Sequence, residues 1–107
     1  MELNISFKHM EPTEAIKAIT REKSEKLSVY FKGKISVNWN FVVEKQDHVA
    51  HCHLLGNNMD YFAEARSEDL YKSIDQALAK IEKQLRAHKE IVKDHLHRGG
   101  IRSASGE

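Results

Sequence analysis

From Leu70 to Val92, apolar side chains recur at helical spacing: Leu70, Ile74, Leu78, Ile81, Leu85 and Val92, with Ala77 and His88 on the same side. A stripe this regular has to be buried against another layer. It predicts one long amphipathic helix. Ser67-Glu68-Asp69 opens it, because serine and aspartate oxygens accept from the free N–H groups of a first turn. Gly99-Gly100, just after Arg98, is expected to stop it. The remainder of the 107 residues must supply the packing partner. A chain of this length makes a single small domain with enough core to fold without a metal or disulfide.

The partner layer reads as a sheet. Leu3-Asn4-Ile5-Ser6-Phe7-Lys8 alternates apolar and polar, the period of a half-buried strand. Ile35 to Val43 is the clearest strand, with Ile35, Val37, Trp39, Phe41 and Val43 on one face. Glu44-Lys45-Gln46-Asp47 is a polar connection of hairpin length. Val49 to Leu55 follows, with Ala50, Cys52 and Leu54 on one face and Val49, His51, His53 and Leu55 on the other. Gly56-Asn57-Asn58 is a turn, since these residues tolerate positive φ, and Met59 to Arg66 is a fourth strand.

Between the first two strands, Glu11-Pro12-Thr13-Glu14 predicts a helix start with Pro12 in the first turn. That helix should reach about Tyr30, with Ile16, Ile19, Leu27 and Tyr30 as its stripe and Gly33 as the breaker. The stripe is thin at Thr20, Lys23 and Ser24. Lys23 there either snorkels past the core or is a cation placed for a partner.

The order β-α-β-β-β-α predicts an α+β two-layer sandwich: a four-stranded sheet with both helices on one face. A right-handed crossover through the first helix sets the first strand parallel to its neighbour. The arrangement is close to that of double-stranded-RNA-binding domains, although fold alone does not give function. Residues 1–98 form the domain, and 99–107 are expected to be a short flexible tail.

Several classes of function find no support. No window approaches the ~20 apolar residues of a membrane span, and the start lacks a basic segment followed by an apolar core, so no secretory signal is expected. Cys52 is the sole cysteine, which points to the cytoplasm. No GxGxxG or GxxxxGK[ST] loop occurs. Cys52 falls on the core face, where thiols are inert, and no set of residues forms a catalytic site, so the chain is not read as an enzyme. His51 and His53 share a strand face, but a single cysteine fits structural zinc poorly. His95 and His97 stand about 200° apart on a helix. No cofactor and no small-molecule substrate is expected.

Charge is more informative. The net is +1, but residues 1–79 carry −2 and residues 80–107 carry +3. Lys80 and Lys83 project from one flank of the second helix, and Arg86, Lys89 and Lys93 continue the array, with Glu82, Glu90 and Asp94 interleaved. Such a rod suits a polyanion. It also suits a solvated helix face with exposed ion pairs of little net worth. A third reading makes the strand face around His51 and His53 a protein-interaction surface.

Within the second helix, Glu68-Asp69-Leu70-Tyr71-Lys72-Ser73-Ile74-Asp75, then Lys80-Ile81-Glu82-Lys83-Gln84-Leu85 and His88-Lys89, closely resembles the ribosome hibernation-promoting factor family. That family includes the ribosome-associated inhibitor also called protein Y. The start Leu3-Asn4-Ile5-Ser6, the segment Glu11 with Thr13-Glu14-Ala15-Ile16, and Lys23 with Lys26-Leu27 and Tyr30-Phe31 match as well. The resemblance spans about residues 1–95. It implies the same fold and binding to 16S rRNA of the small ribosomal subunit, in the channel of mRNA and tRNA. It also implies inhibition of translation and preservation of idle 70S and 100S ribosomes under stress or in stationary phase. The implied RNA-binding residues are Lys23, Lys26, Lys80, Lys83 and Lys89; Arg86 and Lys93 are added from the local charge pattern. Ala87 stands where close relatives carry lysine. The chain is expected to be the short form, without a second dimerising domain, which assists 100S dimers alongside a separate modulation factor. A general double-stranded-RNA-binding protein without ribosome preference is the alternative.

Overall fold

The computed structural model describes residues 1–30, 33–56 and 58–101, with side chains up to residue 87. The elements are β1 (Glu2–Lys8), α1 (Glu14–Ser24) with a 3-10 extension (Glu25–Tyr30), β2 (Ser36–Glu44), β3 (Asp47–Gly56), β4 (Met59–Ser67) and α2 (Leu70–Ile101). The four strands lie in chain order. β1 runs parallel to β2, with Ile5 opposite Trp39. β2, β3 and β4 are antiparallel, with Trp39 opposite Cys52 and Cys52 opposite Ala63.

One face of the sheet is the core. Val37, Trp39 and Phe41 of β2, Ala50, Cys52 and Leu54 of β3, and Ala63 and Ala65 of β4 are buried there. Leu70, Ile74, Ala77, Leu78, Ile81 and Leu85 of α2 pack into the same cluster, as do Ile16 and Leu27 from the first helical segment. The small residues on β4 let α2 approach the sheet closely. Helical spacing in α2 and two-residue alternation in the strands thus meet in a single apolar layer.

The first helix differs from its sequence expectation at both ends. Pro12 lies outside it, because Thr13 is the N-cap and its Oγ1 accepts from the Ile16 N–H at 3.1 Å. After Ser24 the chain tightens into a 3-10 turn. The thin middle of the stripe is buried rather than exposed. Thr20 bonds the Ile16 carbonyl at 2.7 Å, and Ser24 Oγ accepts from Trp39 Nε1 at 2.9 Å. That last bond fastens α1 to the sheet, and with it both helices cover one face.

α2 begins as its residues require. Asp69 caps it, accepting from the Tyr71 N–H at 3.0 Å. Ser73, fully buried, donates from Oγ to the His48 carbonyl at 2.7 Å and ties the first turn to β3. At the other end the helix continues to Ile101, past the expected stop at Gly99-Gly100. Glycine costs about 1 kcal/mol per helical position without forbidding it. Residues 102–107, where most of the expected tail falls, lie outside the described residues. No helix among the described residues is long and apolar enough to cross a membrane.

Candidate nucleic-acid interface

α2 lies on the sheet along its Ile74–Ile81 line, so its other sides have three different neighbours. The flank toward α1 carries Asp75 and Glu82. Asp75 Oδ1 is 2.7 Å from Lys23 Nζ, and Glu82 receives the Tyr30 hydroxyl at 3.5 Å. The opposite flank runs along β4, the outer strand of the sheet. There Lys80 Nζ donates to the Glu64 carbonyl at 2.7 Å and Gln84 Nε2 to the Phe62 carbonyl at 3.1 Å. The crest between the flanks faces away from the core and carries Lys83.

The predicted cations therefore divide. Lys26, Lys83 and Arg86 are exposed, and none forms an ion pair or hydrogen bond among the described residues. Arg86 lies eleven residues after Asp75, just over three helical turns on, and so stands on the side of the crest next to the α1 flank. Lys23 is only 24% exposed at its side chain and is held by Asp75. Its position in the apolar stripe is thus explained by a partner within the chain, and the ammonium reaches the surface beside the core. Lys80 is exposed but spends one N–H on a sheet-edge carbonyl that would otherwise invite strand pairing. The side chains of Lys89 and Lys93, like that of His88, lie outside the described residues.

The sequence offers Ser73, Asp75 and Gln84 only as members of a motif, without a role. All three serve the docking of α2, and their partners are remote in the chain. A cation at a core-facing helical position, as at Lys23, is the signal that an acid such as Asp75 must sit opposite. Phe62 was missed too. It occupies the polar face of β4 between Asp60 and Glu64 and is 53% exposed. A single aromatic among alternating acids is the trace it leaves in the sequence.

The uncovered face of the sheet places His51 and His53 as expected, each paired across to β4. His51 Nε2 is 3.0 Å from Glu64 and His53 Nε2 is 2.7 Å from Asp60. Arg66 bridges Glu44 at 2.7 Å and Asp47 at 3.3 Å, which raises its pKa further. Cys52 points the other way, fully buried, and burial pushes its thiol up to about 12. Among the described residues no three of His, Cys, Asp and Glu converge as metal ligands.

Comparison with known proteins identifies the family and matches the fold. Residues 3–93 match the family described as sigma 54 modulation protein / S30EA ribosomal protein. The chain is 35% identical over 95 residues to ribosome hibernation promoting factors of Salmonella typhimurium and Escherichia coli, covering 89% of this chain and 100% of each relative. A factor of the same name from Pseudomonas putida is 31% identical over 90 residues, 84% of this chain and 88% of the relative. In fold, the chain superposes on the N-terminal domain of Thermus thermophilus protein Y with a TM-score of 0.78 and 21% identity, covering 82% of this chain and 99% of that one. A ribosomal subunit interface protein from Coxiella burnetii gives a TM-score of 0.74 and 20% identity, covering 84% and 99%.

Proposed function

This chain belongs to the sigma 54 modulation protein / S30EA ribosomal protein family, and we propose that it is a ribosome hibernation factor acting by occupancy rather than by catalysis. The carrying observation is the end-to-end match to relatives named ribosome hibernation promoting factor, which leaves none of their length uncovered. The proposed partner is the small ribosomal subunit, bound through 16S rRNA in the channel used by mRNA and tRNA. A protein seated there blocks translation sterically and keeps the idle particle intact. Support of 100S dimers with a separate modulation factor belongs to the same proposal, as does a cytoplasmic location.

The chemistry of contact follows from the crest of α2 and from Lys26 on the 3-10 extension of α1. Lys26, Lys83 and Arg86 are exposed and have no internal partner among the described residues, and they are the cations proposed to meet phosphates. Each neutralised phosphate adds close to one unit to the slope of log affinity against log salt. Phosphate contacts position the protein, and specificity comes from the shape of the folded RNA. Lys23 and Lys80 can reach the same RNA only while also serving Asp75 and the Glu64 carbonyl, so their substitution mixes binding with stability. Lys89 and Lys93 continue the array in sequence and complete the proposed set. The test is a cell-free translation assay. Wild-type protein is expected to inhibit it, and Lys83→Glu with Arg86→Glu to relieve inhibition by tenfold or more in concentration. Equal inhibition by the double variant would remove the crest from the mechanism.

A further inference from the structure

The sheet face turned away from both helices holds a site of different chemistry, and we propose that it receives one unpaired nucleobase. The site is a hollow of about 420 Å³ over β1, β2 and β3, closed on one side by Phe62 of β4, within the size range of small-molecule clefts. Its floor is made of side-chain amides and a hydroxyl. Asn4 Nδ2 donates to Asn38 Oδ1 at 2.9 Å, and Ser6 Oγ donates to Asn40 Oδ1 at 3.1 Å. Asn38 Nδ2 donates to Ser36 Oγ at 3.2 Å and to the His53 carbonyl at 3.4 Å. Its hydrogen-bonding groups are thus engaged, whereas the Asn40 amide N–H groups have no acceptor among the described residues.

The wall is aromatic. Phe62 is stacked on His51, with centroids 5.8 Å apart and planes at 27°, and His53 meets its edge at 6.1 Å. Glu64 and Asp60 hold the two imidazoles through Nε2. Side chains stand roughly perpendicular to a sheet, so a flat ring leaning on this wall directs one edge down onto the amides. Asparagine pairs bidentately with the N6/N7 edge of adenine, and Asn40 offers a free N–H beside an oxygen with a second lone pair. Aromatic stacking with an edge contact to polar groups is how unpaired bases are held on protein surfaces.

Charge narrows the ligand further. Asp60 and Glu64 flank Phe62 on the same face, with side chains 73% and 47% exposed. They oppose phosphate near the wall and favour the neutral base. The site is separate from the crest of α2, so it stands or falls independently of the proposed contacts there.

The test is NMR titration of the full chain with adenosine, AMP and a single-stranded adenine tetranucleotide. Localised shifts are expected at the Asn40 side-chain amide and at His51 and Phe62, with AMP binding no tighter than adenosine. Phe62→Ala should weaken binding about tenfold, and Phe62→Tyr should restore it. Phe62 is exposed, so the loss of its ring leaves the core filled, and unchanged core resonances check this. A tetranucleotide that binds tighter than adenosine with the same footprint identifies an RNA base as the ligand; equal binding identifies a free nucleoside. Shifts confined to Lys83 and Arg86, no shifts at all, AMP binding tighter than adenosine, or Phe62→Ala binding like wild type would each overturn the proposal. Lys83→Glu with Arg86→Glu should leave adenosine binding unchanged.

Discussion

Trp39 is 1% exposed, and its indole N–H has a single partner, the equally buried Ser24 Oγ. A buried donor without an acceptor costs about 1–3 kcal/mol. Ser24→Ala should therefore destabilise the chain by roughly that amount, read as a lowered midpoint in urea unfolding; a change below about 0.5 kcal/mol would mean that water replaces the hydroxyl. Cys52 makes a pH prediction. Its thiol is raised to about 12 from 9.0 by burial, so the unfolded chain ionises first as pH rises. From about pH 9 upward the unfolded state binds fewer protons than the folded one, and stability falls as pH climbs toward the folded value. Below that window Cys52 contributes no pH dependence. Native protein at pH 8 should resist alkylation, and denatured protein should react at once.

At the scale of elements, much of the α2 motif reads as docking chemistry. Asp69 caps, Leu70 and Ile74 fill the core, Ser73 grips β3 and Asp75 holds Lys23. Lys80 seals the β4 edge. Lys80→Ala is expected to lower stability by about 0.5–1.5 kcal/mol, whereas Lys83→Ala should stay within about 0.5; equal values by denaturation would remove the edge role. At Gly56 an added Cβ would stand 2.7 Å from Ile35 Cγ2. Gly56→Ala should cost about 1–3 kcal/mol through overpacking, and unfolding at the wild-type denaturant concentration would contradict that close approach.

The elements show why part of this was legible in the sequence. Strand alternation from Ile35 to Phe41 and the stripe from Leu70 to Leu85 are periodic, and there periodicity reports burial directly; at the end of β2 it fails, since Val42 is buried and Val43, expected on the core face, is half-buried. The order of elements then admitted few topologies, and the parallel β1–β2 pair followed from the crossover. Thr20 and Ser24 were not legible as core, because each hydroxyl is buried only through its own partner: the Ile16 carbonyl one turn back for Thr20, and the Trp39 indole fifteen residues away for Ser24. Lys23 and Lys80 were legible as cations but not as engaged ones, since their acceptors come from other elements. The glycine pair at the end of α2 marked a boundary by propensity alone, and propensity is the weakest of these signals.

For the whole molecule, one apolar layer leaves two surfaces free for different chemistry. The crest of α2 offers charge without geometry, and the open sheet face offers planar and amide groups with local acidity. The net charge of +1 hides this division, so association should depend on salt through the crest while the sheet face remains largely insensitive. The most direct measurement is co-sedimentation of the full chain with 30S and 70S particles over a series of salt concentrations, with duplex RNA as competitor. Saturation near one copy per particle is predicted, weakening steadily with salt, surviving the competitor and lost with Lys83→Glu and Arg86→Glu. Unsaturable binding that duplex RNA strips away would contradict a ribosome-specific role and leave a general RNA-binding domain in its place.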